Sequence, residues 1–133
     1  MIIVSACLLG IKCKYDGSSN LNPKLIKKLA KYHFLPICPE QLGGLTTPRK
    51  SAEILDRKVY DVSGKNVSEA FRLGAKEALK ISEITNCKIA ILKDGSPSCG
   101  VYSIYNGKHE GIKITGEGGG IDPVFIITAI WRS

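Results

Sequence analysis

Ile89-Ala90-Ile91-Leu92-Lys93-Asp94-Gly95-Ser96-Pro97-Ser98-Cys99-Gly100 is the stretch from which the fold can be read. Its first four residues are a short apolar run, rich in β-branched side chains and closed by turn residues, the pattern of a buried strand. The next eight hold two glycines, a proline, two hydroxyls and a thiol. They predict a shaped loop at a strand's carboxyl end, the edge where open α/β sheets bind ligands.

Outward from that stretch, the arrangement recurs twice. Met1-Ile2-Ile3-Val4-Ser5 predicts a first strand, and the glycine-punctuated loop Ala6 to Gly17 after it carries Cys7 and Cys13. Phe34-Leu35-Pro36-Ile37 predicts a second strand, held by Pro36 to a short or edge-like role, with Cys38-Pro39-Glu40 directly behind it. Between the two, Asn22-Pro23 opens a helix with Asn as N-cap. Leu25, Ile26, Leu29 and Ala30 are its expected apolar stripe, and Lys24, Lys27, Lys28 and Lys31 its solvated face. A longer helix, capped by Ser68 and running to about Asn86, sets Ala70, Phe71, Ala75, Ala78 and Leu79 inward and leads into Ile89.

Two hairpins complete the α/β pattern. Ala52 to Leu55 and Val59 to Val62 flank Asp56-Arg57-Lys58, while Val101 to Tyr105 and Gly111 to Ile114 flank Asn106-Gly107, a strong turn signal. Asp122-Pro123 opens a last apolar helix through Trp131. The glycines at 116 and 118–120 match neither GxGxxG nor GK[ST], so no nucleotide fingerprint is present.

The 133 residues are expected to form one domain, large enough to bury a core without disulfides. No apolar run approaches the ~20 residues of a membrane helix, and the first residues lack the basic start of a signal peptide. A cytoplasmic protein is expected, in which five reduced cysteines point to metal, cluster or redox work instead of cross-links. The net charge of +7 suits a phosphate-bearing or RNA partner, or simply a soluble surface. RNA is the less favoured partner, because the aromatic interleaving that base stacking needs is missing.

Cys7, Cys38 and Cys99 each lie past the carboxyl end of a predicted parallel strand, so thiols from distant stretches are expected to meet on one sheet edge. Three thiolates suit an iron-sulfur cluster with one iron left open, or a Cys-only zinc site with a water. Cys13 is placed to be a fourth ligand, a resolving thiol or a bystander, and Cys87, at a helix end, is expected to pack. Glu40, Ser96 and Ser98 fall in the same pocket, where a desolvated carboxylate rises toward the range of a general base and a serine can relay a proton. Lys93, Lys14 and Arg49 are candidates for holding an anionic substrate. His33 and His109 lack ligand spacing and are expected to be structural.

Three signatures then carry a resemblance. Ser5-Ala-Cys7-Leu-Leu-Gly10 with Cys13-Lys-Tyr-Asp-Gly17, Pro36-Ile-Cys38-Pro-Glu40-Gln-Leu-Gly-Gly44 with Thr47-Pro-Arg49, and Ser96-Pro-Ser-Cys99-Gly100 closely resemble the thiouracil desulfidase (TudS-like) family, long catalogued as a domain of unknown function. The resemblance implies a compact Rossmann-like three-layer domain with a mainly parallel sheet. It also implies a 4Fe-4S cluster held by Cys7, Cys38 and Cys99, whose open iron binds the sulfur of a thiolated pyrimidine such as thiouracil or a thiouridine nucleotide. Water would replace that sulfur, with Glu40 and a serine of the Ser96-Pro97-Ser98 turn handling protons. Gly118 to Ser133 departs from the family's usual ending of turn, apolar helix and strand. Some relatives carry a fused helical domain associated with thiolated tRNA; none is expected in this chain, so a free base, nucleoside or nucleotide is the expected substrate.

Overall fold

The structure, a computed structural model, describes residues 1–93, 95–99, 103–105, 109 and 113–115. Strand β1 (Ile2–Ser5) is the centre of a three-stranded parallel sheet, with β2 (Phe34–Ile37) on one side and β5 (Ile89–Ile91) on the other. Ser5 stands beside Ile37 and Val4 beside Ile91, so the three strands end together. Pro36 sits in the edge strand, as a residue without an N–H must.

Every residue of β1 is buried, and its alternating side chains feed two cores. Ile3 packs with Ile37, Ala78 and Ala90 beneath α3 (Ser68–Ile84), while Ile2 and Val4 pack with Leu8, Leu25 and Leu29 beneath α1 (Pro23–Leu29). Helix, sheet and helix make the expected three layers. A 3-10 turn, Ala6–Leu9, continues β1 directly into the Cys7 loop.

Helix α1 starts as its sequence dictates, with Asn22 Oδ1 accepting the Leu25 N–H at 3.1 Å. Its buried stripe is narrower than expected: only Leu25 and Leu29 are inside, and Ile26 and Ala30 are exposed. A two-turn helix offers the sheet a single i, i+4 row. Helix α3 buries Phe71, Gly74, Ala75, Ala78 and Ser82 at helical spacing. Ser68 is not its cap. Val67 holds that position, the Ser68 N–H is taken by Asn66 Oδ1, and Ser68 Oγ accepts the Val59 N–H at 2.8 Å, tying the helix to the hairpin. At the other end Asn86, at φ 52, closes a two-bond stop in which Asn86 N–H donates to Glu83 O and Cys87 N–H to Ser82 O, ending α3 before Asn86.

The first hairpin pairs β3 (Ala52–Leu55) with β4 (Lys58–Asp61) through a two-residue turn. Asp56 and Arg57 both have positive φ, the requirement of a type I′ turn, so the second strand starts one residue earlier than expected and Val62 is exposed beyond it. Strands β6 (Ser103–Tyr105) and β7 (Lys113–Thr115) form the second hairpin, and β6 lies against β3. The Asn106-Gly107 turn, the glycine run and the helix expected through Trp131 lie outside the described residues.

The short helix α2 (Pro39–Leu42), directly after β2, is pressed onto α3. A Cβ on Gly74 would sit 1.9 Å from Pro39 O, and one on Gly43 1.9 Å from Ala70 O, so glycine is required at both points of contact. This backbone-to-backbone approach fixes where Cys38 and Glu40 stand. No helix among the described residues is long and apolar enough to cross a membrane.

Candidate active site

The three strand ends open into one cavity of about 480 Å³, the size that takes a small ligand. Cys7, Cys38 and Cys99 all line it, together with Cys13, Glu40, Ser96 and Ser98. Cys87 does not. It is buried at the opposite end of the sheet, with its sulfur against Met1 O and Ile89 O at 3.2 and 2.9 Å, and it packs as expected.

Each lining thiol has a polar partner. Asn20 Nδ2 donates to Cys7 Sγ at 3.5 Å, although burial still pushes that thiol up. Cys38 is lowered to about 6, chiefly by a hydrogen bond from Cys13 and against the effect of burial, while Cys13 is raised by the same contact. Cys99 is pushed up to about 12 by burial, with Ser5 and Ser98 at its sulfur opposing the rise. Hydrogen bonds to sulfur and an enclosing wall are the levers by which a protein tunes a bound cluster.

The loop after β5 is pinned to the sheet by the Lys93 N–H, which donates to Ser5 Oγ at 2.9 Å, and Gly95 turns it with a φ of 79 that only glycine adopts freely. The two serines divide the work. Ser96 Oγ accepts the N–H groups of Ser98 and Cys99, at 3.2 and 3.1 Å, and so shapes the turn. Ser98 Oγ donates to Glu40 Oε2 at 2.9 Å, lies 3.0 Å from Ser96 Oγ and 3.7 Å from Cys99 Sγ, and thus stands between the carboxylate and a thiol.

Glu40 is withdrawn from water, as its position behind a strand predicts, and it is also paired. Its Oε1 accepts from Arg49 Nε at 3.1 Å, with the side chains 14% and 7% exposed, so the pair is largely sealed from water. Arg49 also donates through Nη2 to Cys13 O at 2.8 Å and through Nη1 to Thr46 O and Thr47 Oγ1 at 3.2 and 2.9 Å. These bonds clamp the cysteine loop to the Glu40 helix, and Arg49 also lines the cavity. Lys14 and Lys93 line the cavity as well.

Among the described residues no three His, Cys, Asp or Glu side chains come close enough to share one metal ion. A mononuclear zinc site needs such a set; a cluster does not, because each cysteine binds a different iron across an inorganic core. His33 is exposed on the way into β2 and plays no part, but His109 is on the cavity wall beside Glu53, a pair that sequence spacing does not reveal. Asn20 and Ser5 escape sequence reasoning as well. Short polar residues in a loop or at a strand end carry no periodic signal.

The sequence pattern of the 2-thiouracil desulfurase family matches residues 2–122. The chain belongs to the 2-thiouracil desulfurase family. The uncharacterized protein YbbK of Bacillus subtilis (strain 168) is 41% identical, over 89% of this chain and 85% of YbbK. The solved structure of the 4Fe-4S-dependent thiouracil desulfidase TudS is 40% identical, superposes with a TM-score of 0.84, and is matched over 98% of this chain and 89% of TudS. A desulfurase family member with this fold is an enzyme of the desulfidase class.

Proposed function

We propose that the chain is a 4Fe-4S-dependent desulfidase that converts small thiolated pyrimidines, such as 2- or 4-thiouracil or a thiouridine nucleotide, and water to the oxygen pyrimidine and hydrogen sulfide. The observation that carries this reading is the convergence of Cys7, Cys38 and Cys99 on one small-ligand cavity that also holds the Glu40–Ser98 hydrogen bond. The 40% identity to TudS, itself 4Fe-4S-dependent, supports the choice of cofactor. Cys7, Cys38 and Cys99 would hold the cluster, which would supply a Lewis acid able to draw electron density from the thiocarbonyl carbon.

The rest is done by the chain's own side chains. Arg49 fixes the Glu40 carboxylate through Oε1, leaving Oε2 to take the Ser98 hydroxyl proton. A water beside Ser98 Oγ passes a proton to that oxygen as Ser98 passes its own to Glu40, so hydroxide character develops at the carbon to be attacked. Ser96 holds Ser98 and Cys99 in register and takes no proton itself.

The test is anaerobic turnover. Protein reconstituted with iron and sulfide is expected to release one sulfide per uracil formed from 2-thiouracil, and protein stripped of iron to release none. Equal release from both preparations would overturn the proposal.

A further inference from the structure

Cys7 stands on the 3-10 turn directly behind β1, and a second stretch of chain is laced to that turn by main-chain bonds. The Asn20 N–H donates to Cys7 O at 2.9 Å, the Asn22 N–H to Leu8 O at 2.8 Å, and the Lys14 N–H to Ser18 O at 3.1 Å. Asn22 then caps α1 through Oδ1, so residues 18–22 are braced between the cysteine loop and a helix. From this position the Asn20 side chain reaches back to the same cysteine, Nδ2 donating to Cys7 Sγ at 3.5 Å. Asn20 therefore meets Cys7 twice, at its carbonyl and at its sulfur. Both residues line the cavity.

A carboxamide has a donor end and an acceptor end, and what the facing sulfur carries decides which of them can meet it. A cysteine sulfur bound to a metal has lost its proton, so only the N–H end suits it. A donor aimed at a charged sulfur makes a stronger bond than one aimed at a neutral group, and the bond tightens as negative charge gathers there. Hydrogen bonds to ligand sulfurs are among the quantities that set a cluster's potential. Ser98 also lies near a thiol, Cys99, but it serves the Glu40 relay. Asn20 stands outside that relay, so a change at Asn20 reads the bond to sulfur by itself.

Resting on the desulfidase reading for the presence of a cluster, we propose that Asn20 is a positioning residue for that centre, its N–H···S bond to Cys7 raising the cluster's reduction potential and the electrophilicity of its iron. Reduction adds charge that the ligand sulfurs share, so a donor at Cys7 favours the reduced form. By the same withdrawal of electron density the bond favours polarisation of the thiocarbonyl.

A redox titration of anaerobically reconstituted protein, followed by electron paramagnetic resonance of the reduced cluster, tests this without turnover. Asn20→Leu, close in shape but without a donor, is expected to lower the equilibrium constant for reduction about tenfold, a shift of about 59 mV to more negative potential for a one-electron couple. Asn20→Asp, which sets a negative acceptor against the sulfur, should shift further in the same direction. Asn20→Gln keeps the carboxamide and should return to within about threefold of wild type. If Asn20→Leu holds no cluster, the Asp and Gln variants carry the test. Potentials within about twofold of wild type in Asn20→Leu and Asn20→Asp would overturn the inference, as would Asn20→Gln shifting as far as Asn20→Leu, which would mean packing in place of donation. Loss of the cluster from all three variants would mean a structural role and overturn it too. Wild type that holds no cluster would sink this inference together with the desulfidase reading, whereas a cluster-bearing wild type that releases no sulfide from 2-thiouracil, with the variant shifts present, would sink that reading alone.

Discussion

The two ends of the parallel sheet carry the same residue type in opposite circumstances. At the amino end Cys87 is enclosed by core, its sulfur pointed at the carbonyls of Met1 and Ile89, away from the cavity. At the carboxyl end Cys7, Cys38 and Cys99 face a cavity, and their sulfurs meet hydroxyls, an amide and another thiol. The difference comes from topology. Parallel strands finish on one edge with free backbone and loops that must turn, so that edge collects polar groups, whereas the edge where a helix feeds a strand closes over its own side chains. A cysteine's chemistry is thus set by which end of a strand it occupies.

Removing one thiol from each end gives the largest contrast. Cys38→Ala is expected to lose the cluster and all measurable sulfide release, read by iron content and turnover, while Cys87→Ala retains both. Next in size is the proton relay: Glu40→Gln, with the cluster retained, should lower kcat about a hundred- to ten-thousandfold, and Ser98→Ala should fall in the same range. Full activity in Glu40→Gln would remove the relay from the mechanism.

A pH titration sharpens the contrast further. Cys38 is lowered to about 6, so its sulfur is thiol below that pH and thiolate above it. In cluster-free protein, iodoacetamide labelling of Cys38 should therefore climb as pH rises through about 6 and level off by neutrality. Cys99, pushed up to about 12, should stay unlabelled across that range, and Cys87 should be slow because it is buried. Peptide mass spectrometry reads all three, and faster labelling of Cys87 would break the comparison.

The smallest effects are on stability. Gly74→Ala drives a methyl into Pro39 O, and should cost about 1–3 kcal/mol in a denaturant melt and lower kcat by shifting Glu40. Cys87→Ala, far from the cavity, should cost about 1 kcal/mol and leave kcat within about twofold.

Much of this architecture is legible in the amino-acid sequence, because it lies in local pattern. The apolar runs at Ile2, Phe34 and Ile89 with a thiol behind each mark the parallel strands and their shared edge, and the 3.6-residue spacing of Phe71, Ala75 and Ala78 marks α3. What local pattern does not carry is pairing across long separations. Arg49 reaches back to Cys13 and across to Glu40, Ser98 reaches Glu40 from 58 residues away, and His109 meets Glu53 from 56. The pairing of Arg49 with Glu40 and of His109 with Glu53 is invisible when only spacing is considered, since a charged side chain's partner has no periodicity to betray it. Ser68 misleads for a related reason: its hydroxyl has two possible uses at a helix start, and the one it takes, bonding Val59 in the hairpin, is set by tertiary packing.

The central claim is that Cys7, Cys38 and Cys99 together hold one 4Fe-4S centre, and counting the metal tests it most directly. Anaerobically reconstituted protein should contain about four iron and about four acid-labile sulfide per chain, and each of the three single alanine variants should lose both. A chain that carries one zinc and no sulfide, or a Cys38→Ala variant that keeps the full complement, would contradict it.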